Sequence, residues 1–241
     1  MTHRLYCANA LSVGAEVLLD PIASRHLREA LRATPGDSIT LFDGNGGEFA
    51  GTVHAVTREG VVVAVARHLP VERESPLAIT LAQGISRGER MDLTIQKAVE
   101  LGVHTIVPLT TERSTVRLDD DRAQKREIHW RGIVRHAAEQ SGRTRLPVLD
   151  PVTGVAAWAA ALTSTCRLLL DPSADTSLGR IPLASDICLA VGPEGGFSPG
   201  ERVLLASCGF RGARLGPRIL RTETAALVAL SILQDRAGDL G

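Results

Sequence analysis

The stretch "LAVGPEGGFSPGERVLL" (Leu189–Leu205) decides how the rest of the chain is read, because it joins three local signals. "CLAV" (Cys188–Val191) is a short apolar run of the kind a buried parallel strand uses. Between Gly192 and Pro199 the chain places three glycines, two prolines and one glutamate. Ser198, Pro199 and Glu201 then read as a helix start, with serine at N-cap, proline at the first helical position and glutamate closing a capping box. Strand, glycine-rich loop and capped helix is the arrangement in which α/β proteins present backbone N–H groups to a ligand. Glycines alone would equally serve to turn the chain, since they adopt positive φ at no steric cost. A turn does not require the carboxylate of Glu194, and that residue directs the reading towards a site.

Length and composition bound the rest. At 241 residues the chain suits one large domain, or a small one joined to a mid-sized one, with a sizeable core. Hydrophobic content of 44% and zero formal net charge exclude a disordered chain and a protein that coats polyanions wholesale. The apolar runs are too short to cross a bilayer, and "MTHRLYCANA" carries no apolar signal core, so a cytoplasmic location is expected. Cys7, Cys166, Cys188 and Cys208 show no C-x-x-C spacing; buried free thiols are expected, with no metal site. Of the 27 basic residues only Lys97 and Lys125 are lysine. Arginine suits bidentate phosphate and base contacts, although a coding bias would produce the same excess.

A charged, proline-bearing segment, "VERESPLAIT" (Val71–Thr80), separates two patterns. Before it, "SITLF", "GEFAGTVHAV" and "GVVVAVARHL" are β-rich and punctuated by "PGD" and "DGNGG" turns, which predicts a small β-barrel over residues 1–72. One helix is expected there, "SRHLREALRA" (Ser24–Ala33), with Arg25, Arg28 and Arg32 on one face. After it, residues 73–241 alternate strand and helix, as in a mostly parallel sheet covered on both sides. "SRGERMDLTIQKAVELG" reads as a helix with a second S-x-x-E box (Ser86, Glu89) and Gly102 as its stop. In the last helix Leu227, Leu230 and Leu233 share a face. Parallel sheets bind ligands in loops at the carboxyl ends of their strands. "LLLDPSAD", "VGPEGG" and "LGPRILRTET" are three such loops.

Absences narrow the chemistry. There is no G-x-x-x-x-G-K-[ST], no G-x-G-x-x-G opening a helix and no G-x-S-x-G elbow. His129 and His136 lie on a charged helix and read as surface residues. "LGPRILRTETAALVAL" (Leu215–Leu230) remains, where Arg218, Arg221, Thr222, Glu223 and Thr224 crowd a helix entrance. Threonine capping and a glutamate against the dipole account for part of it. Two arginines at that entrance oppose the dipole, and an anionic partner would explain them.

Taken together, "GPEGGFSPGE" and "LGPRILRTETAALVAL" resemble the signature of the RsmE family of 16S ribosomal RNA uridine-N3 methyltransferases, in the SPOUT superfamily. "HLREALRATPGDSITLFDGNGGEF" is similar to that family's PUA-like RNA-binding barrel, and "RMDLTIQKAVELGVHTIVPLTTERS" and "AAEQSGR" to its central elements. Arg87 stands where a lysine is common and Ala30 where a larger aliphatic residue is usual.

The resemblance implies an α/β fold: a SPOUT-type parallel-sheet methyltransferase domain with a C-terminal trefoil knot, preceded by the PUA-like barrel. It implies S-adenosylmethionine as cofactor, 16S rRNA of the small subunit as partner, and a homodimer. Three loops would hold the cofactor: Leu169, Leu170 and Asp171; Val191, Gly192, Pro193, Glu194 and Gly195; and Leu215, Gly216, Arg218, Ile219, Leu220 and Arg221. Arg221 would stabilise charge developing on a uracil carbonyl, with Glu194 or Glu223 as general base or orienter. Arg25, Arg28 and Arg32 would face RNA, as would Arg87, Arg90, Arg113 and Arg143. Methylation of another RNA site and a non-catalytic ribosome-binding module are the competing readings.

Overall fold

A computed structural model describes residues 3–114 and 119–241. The chain divides into two compact units, one of residues 3–74 with Ala138–Leu146, the other of the remaining described residues.

The first unit contains β1 (His3–Tyr6), β2 (Glu16–Leu18), helix α1 (Pro21–Arg25), β3 (Ser38–Phe42), β4 (Glu48–Val56) and β5 (Val61–Leu69). The sheet order is β1-β3-β4-β5-β2; β1 joins β3 in parallel and the other ladders are antiparallel. Alternation decides its inner face: Ile39 and Leu41, Phe49 and Val53, and Val61, Val63 and Val65 enter one core with Leu5 and Leu27. Register shifts at Ala50/Gly51 and Val53/Ala55 mark irregularities in the long β4–β5 ladder.

The helix expected from Ser24 begins earlier, at Pro21, and becomes a π-helical turn over His26–Ala30. Asp20 caps it, its carboxylate accepting the N–H groups of Ile22 and Ala23 at 2.9 and 3.0 Å. Ser24 is buried inside instead, its hydroxyl donating to Leu19 O and accepting from Val61 N–H. Glu48 accepts from Arg4 at 2.8 Å and Arg73 at 2.7 Å, and Arg4 also lies 3.9 Å over the Phe42 ring.

The second unit runs β6 (Ala78–Gly84), α2 (Glu89–Glu100), β7 (Thr105–Thr110), α3 (Asp120–Ser141, of which Ala138 onward belongs to the first unit), β8 (Val148–Leu149), β9 (Thr153–Gly154), α4 (Val155–Ala160), β10 (Cys166–Leu170), β11 (Asp186–Val191), α5 (Pro199–Ser207), β12 (Arg211–Ala213) and α6 (Thr222–Ala237). Its strands are all parallel, in the order β12-β10-β11-β6-β7-β8, with β9 against β7. Ile187, Cys188, Leu189 and Ala190 are all fully buried, as a strand covered on both faces requires. Burial also pushes the Cys188 thiol up to about 12. Cys7 is likewise buried, whereas Cys166 and Cys208 are only half-buried; among the described residues none of the four is in a disulfide.

Two expected helix starts are corrected here. Ser86 and Glu89 form no capping box: α2 is capped by Gly88 at φ +58, Glu89 is its first residue, and the buried Ser86 turns its hydroxyl to Gly84 O. At α6 neither threonine caps, because the N-cap is Arg221 and the Thr222 hydroxyl is committed to Gly192 O. The buried stripe of α6 is Ala226, Ala229, Leu230 and Leu233, with Leu227 only half-buried. The expected box at Ser198 and Glu201 is present in full.

Among the described residues no helix is long and apolar enough to cross a membrane. Strands β12, β10 and β11 are neighbours, so the loops after Leu170, Val191 and Ala213 emerge side by side.

Candidate active site

Those three loops enclose a cleft of about 560 Å³. From the first it takes Leu170 and Asp171, from the second Val191, Gly192, Pro193, Glu194 and Gly195, and from the third Leu215, Gly216, Arg218, Ile219, Leu220 and Arg221. Leu169, expected beside them, points elsewhere: it is 6% exposed and packs in the core with Val107, Trp158 and Phe210. Strand alternation sends neighbours in β10 to opposite faces, so Leu169 and Leu170 cannot share the cleft.

The second loop is fixed at both ends by local chemistry. Ser198 Oγ accepts the Glu201 N–H at 3.1 Å and Glu201 accepts the Ser198 N–H at 2.8 Å, which starts α5 directly beyond the loop. Phe197 enters the core, a signal that its apolar character between glycine and serine already carried. A Cβ at Gly192 would stand 2.9 Å from Gly196 Cα and Phe197 N, so the turn closes only on glycine.

Charge in the cleft is organised around Arg90, on α2. Its Nη1 lies 3.0 Å from Glu194 Oε1 and its Nε 3.8 Å from Glu223 Oε1. Glu194 also accepts the Arg87 N–H at 3.1 Å. Burial pushes the Glu194 carboxyl up, but hydrogen bonds from its own and the Arg87 N–H and from Arg90 outweigh burial and hold it below the usual carboxylate range. Glu194 is therefore an ionised anchor with little appetite for a proton. Glu223 is 8% exposed, and among the described residues its Oε2 has no hydrogen-bond partner.

Asp171 is likewise engaged: burial raises it, and Ser173 and Arg202 more than compensate, holding it ionised at the cleft edge. By contrast, Arg218 and Arg221 are exposed and, among the described residues, make no side-chain hydrogen bond or ion pair.

The remaining expected residues separate into two groups. Arg25, Arg28 and Arg32 are exposed on the first unit, and Arg28 reaches Thr57 O at 3.3 Å. Arg87 and Arg113 are exposed in the second, and Arg113 donates to Gly195 O at 3.1 Å. Arg143 does not belong with them. It is 6% exposed and donates to Glu74 through Nε at 2.9 Å and also through Nη2, so it serves the packing of the first unit. Gln83 and Thr222 also bear on the second loop, Thr222 Oγ1 accepting from Gln83 Nε2 at 2.9 Å and donating to Gly192 O. The trace of Gln83 was a polar residue ending the apolar run "LAITLAQ".

The model of the RNA methyltransferase domain matches residues 73–234, and that of the RNA methyltransferase PUA domain matches residues 22–66. Ribosomal RNA small subunit methyltransferase E of Buchnera aphidicola is 31% identical over 98% of this chain and 97% of its own. The Mycobacterium bovis protein of the same name is 34% identical over 95% and 90%. Among solved structures, a Legionella pneumophila protein in complex with the cofactor SAM superposes with a TM-score of 0.96 at 41% identity, covering all of both chains. Ribosomal RNA small subunit methyltransferase E of Neisseria gonorrhoeae, bound to S-adenosyl methionine, gives 0.93 at 38%, again over both whole chains. With a domain match over most of its length and relatives aligned nearly end to end, this chain belongs to the ribosomal RNA small subunit methyltransferase E family of RNA methyltransferases.

Proposed function

We propose that the chain transfers a methyl group from S-adenosylmethionine to N3 of a uridine in the 16S rRNA of the small ribosomal subunit. The observation that carries this reading is the cleft itself, an open space walled by glycine backbone and entered by two guanidinium groups, of Arg218 and Arg221, that have no partner among the described residues. The residues fit such a cofactor. Gly216 has nothing within 4 Å of where a Cβ would stand, which leaves room for a flat ring, and Leu215, Ile219 and Leu220 supply apolar walls. The bound cofactor supplies an electrophilic methyl on a sulfonium.

The chain must do the rest: hold an extruded base and remove the N3 proton. Arg221 stabilises the negative charge that deprotonation places on a uracil carbonyl. Glu194 orients Arg90, since a carboxylate held low is a poor proton acceptor. Glu223, with one carboxylate oxygen uncommitted at the start of α6, accepts the proton.

The same reading gives residues 1–72 the role of an RNA-binding barrel, through Arg25, Arg28 and Arg32, and residues 73–241 the role of a SPOUT domain with a C-terminal knot. It makes the protein a cytoplasmic homodimer. Methyl transfer from labelled S-adenosylmethionine to unmodified small subunits, with the product nucleoside identified by mass spectrometry, tests it. 3-Methyluridine at one site is the expected product. A different nucleoside, or no incorporation by protein that binds the cofactor, would overturn it.

A further inference from the structure

We propose that Gln83, Gly84 and Thr222 form a clip that fixes the spacing of the two glycine-bearing cleft loops, so that the carboxyl end of β6 is a positioning element for methyl transfer; this rests on the function proposed above. Gln83 is fully buried. Its Nε2 donates to Gly84 O at 3.0 Å and to Thr222 Oγ1 at 2.9 Å, and Thr222 Oγ1 donates to Gly192 O at 2.5 Å. Both ends of this relay are carbonyls, which only accept. The direction is therefore set: amide to hydroxyl to carbonyl. One hydroxyl thus joins β6, the loop after β11 and the first residue of α6.

Gly84 holds the same loop from the side of β6. A Cβ there would overlap the Pro193 ring and stand 2.5 Å from Pro193 N and 2.9 Å from Gly192 C. The loop backbone rests directly on the strand end, with no space for any side chain. Gly192 and Pro193 are consequently held between Gly84 and the Thr222 hydroxyl. Arg221 precedes Thr222 in the chain, so the clip also sets where its guanidinium enters the cleft.

Core packing does not account for an amide at this position. Ile79, Leu81 and Ala82 in the same strand are fully buried apolar residues, and among the described residues Gln83 Oε1 has no donor. A buried acceptor left unpaired is costly, and an apolar side chain of the same size would avoid that cost. The amide is explained by the one thing methionine or leucine cannot do, which is to orient the Thr222 hydroxyl. Local rules of this kind are broken where function requires it.

Calorimetry and steady-state kinetics on the full chain separate this role from general stability. Thr222→Val keeps the shape and removes the relay, and should raise the dissociation constant for S-adenosylmethionine about tenfold, as expected for the loss of one or two hydrogen bonds. Its kcat should fall as well, whereas RNA affinity without cofactor should not change. Thr222→Ser should recover cofactor affinity to within about threefold of wild type, since it keeps the donor. Gln83→Met should reproduce the valine defect, and it decides the matter if the valine variant does not fold. In the double variant the losses should not add, because both sever one relay.

Wild-type cofactor affinity in Thr222→Val or Gln83→Met, additive losses, or a matching loss of cofactor-free RNA affinity would overturn the clip. Wild-type protein that binds the cofactor but makes no 3-methyluridine would instead overturn the substrate assignment, and the clip would still be judged on the binding constants.

Discussion

Two glycine-rich turns, "DGNGG" (Asp43–Gly47) and "GPEGG" (Gly192–Gly196), share residue types and differ in use. In the first, a Cβ at Gly46 would stand 2.9 Å from Arg145 Nη2, and one at Gly47 would overlap His68 Nε2. Its acid is consumed too: Asp43 accepts the N–H groups of Leu11 and Asn45 at 3.1 and 3.0 Å. The second turn borders an open cleft, and its acid holds an arginine that lines the same space. The arginines repeat the contrast. Arg4, Arg73 and Arg143 are spent on Glu48 and Glu74, whereas Arg218 and Arg221 have no protein partner among the described residues. Glycine content and arginine content mark neither region as a site. What marks one is polar groups left uncommitted around a space.

Arg221→Ala, which removes an uncommitted charge, should lower the methylation rate by about 100-fold or more while cofactor affinity measured by calorimetry stays within about threefold. Turnover near wild type would remove Arg221 from the chemistry.

Glu48→Gln removes a committed charge and should cost about 3 kcal/mol in chemical denaturation, since two arginines lose their partner, without altering cofactor affinity. Burial pushes the Glu48 carboxyl up, but hydrogen bonds from Arg73 and Arg4 outweigh that and hold it below the usual carboxylate range. A value depressed on folding contributes stability above the ordinary carboxylate pKa of about 4.3 and loses it as pH falls through the depressed value. Wild-type stability should therefore decline in acid more steeply than that of Glu48→Gln.

Gly47→Ala should lower stability by about 2 kcal/mol, because φ is +72 and the side chain meets His68, again with unchanged cofactor affinity. A change in that affinity would erase the distinction between the two turns. Ser198→Ala, which removes one half of the capping box beyond the second turn, should cost about 1 kcal/mol in thermal unfolding.

The sequence is most informative where the determinants are local. The run from Cys188 to Ser207 reads correctly because strand, turn and capping box are each set within a few residues. It misleads where a competing local signal wins: Asp20 caps α1 and Pro21 starts it three residues before Ser24 is reached, and Gly88 displaces the Ser86 box. It is silent where partners are distant. Nothing around Arg143 announces Glu74, sixty-nine residues earlier, and an exposed RNA-facing arginine was the natural reading. Gln83 is illegible for the same reason, since its partner Thr222 lies 139 residues later.

Hydrogen–deuterium exchange of the whole protein, with and without saturating S-adenosylmethionine, tests the contrast between the two turns most directly. Slower exchange at the three cleft loops, residues 170–171, 191–196 and 215–221, with residues 43–47 unchanged, is the predicted result. Protection at 43–47, or cofactor binding that leaves the cleft loops unprotected, would contradict it.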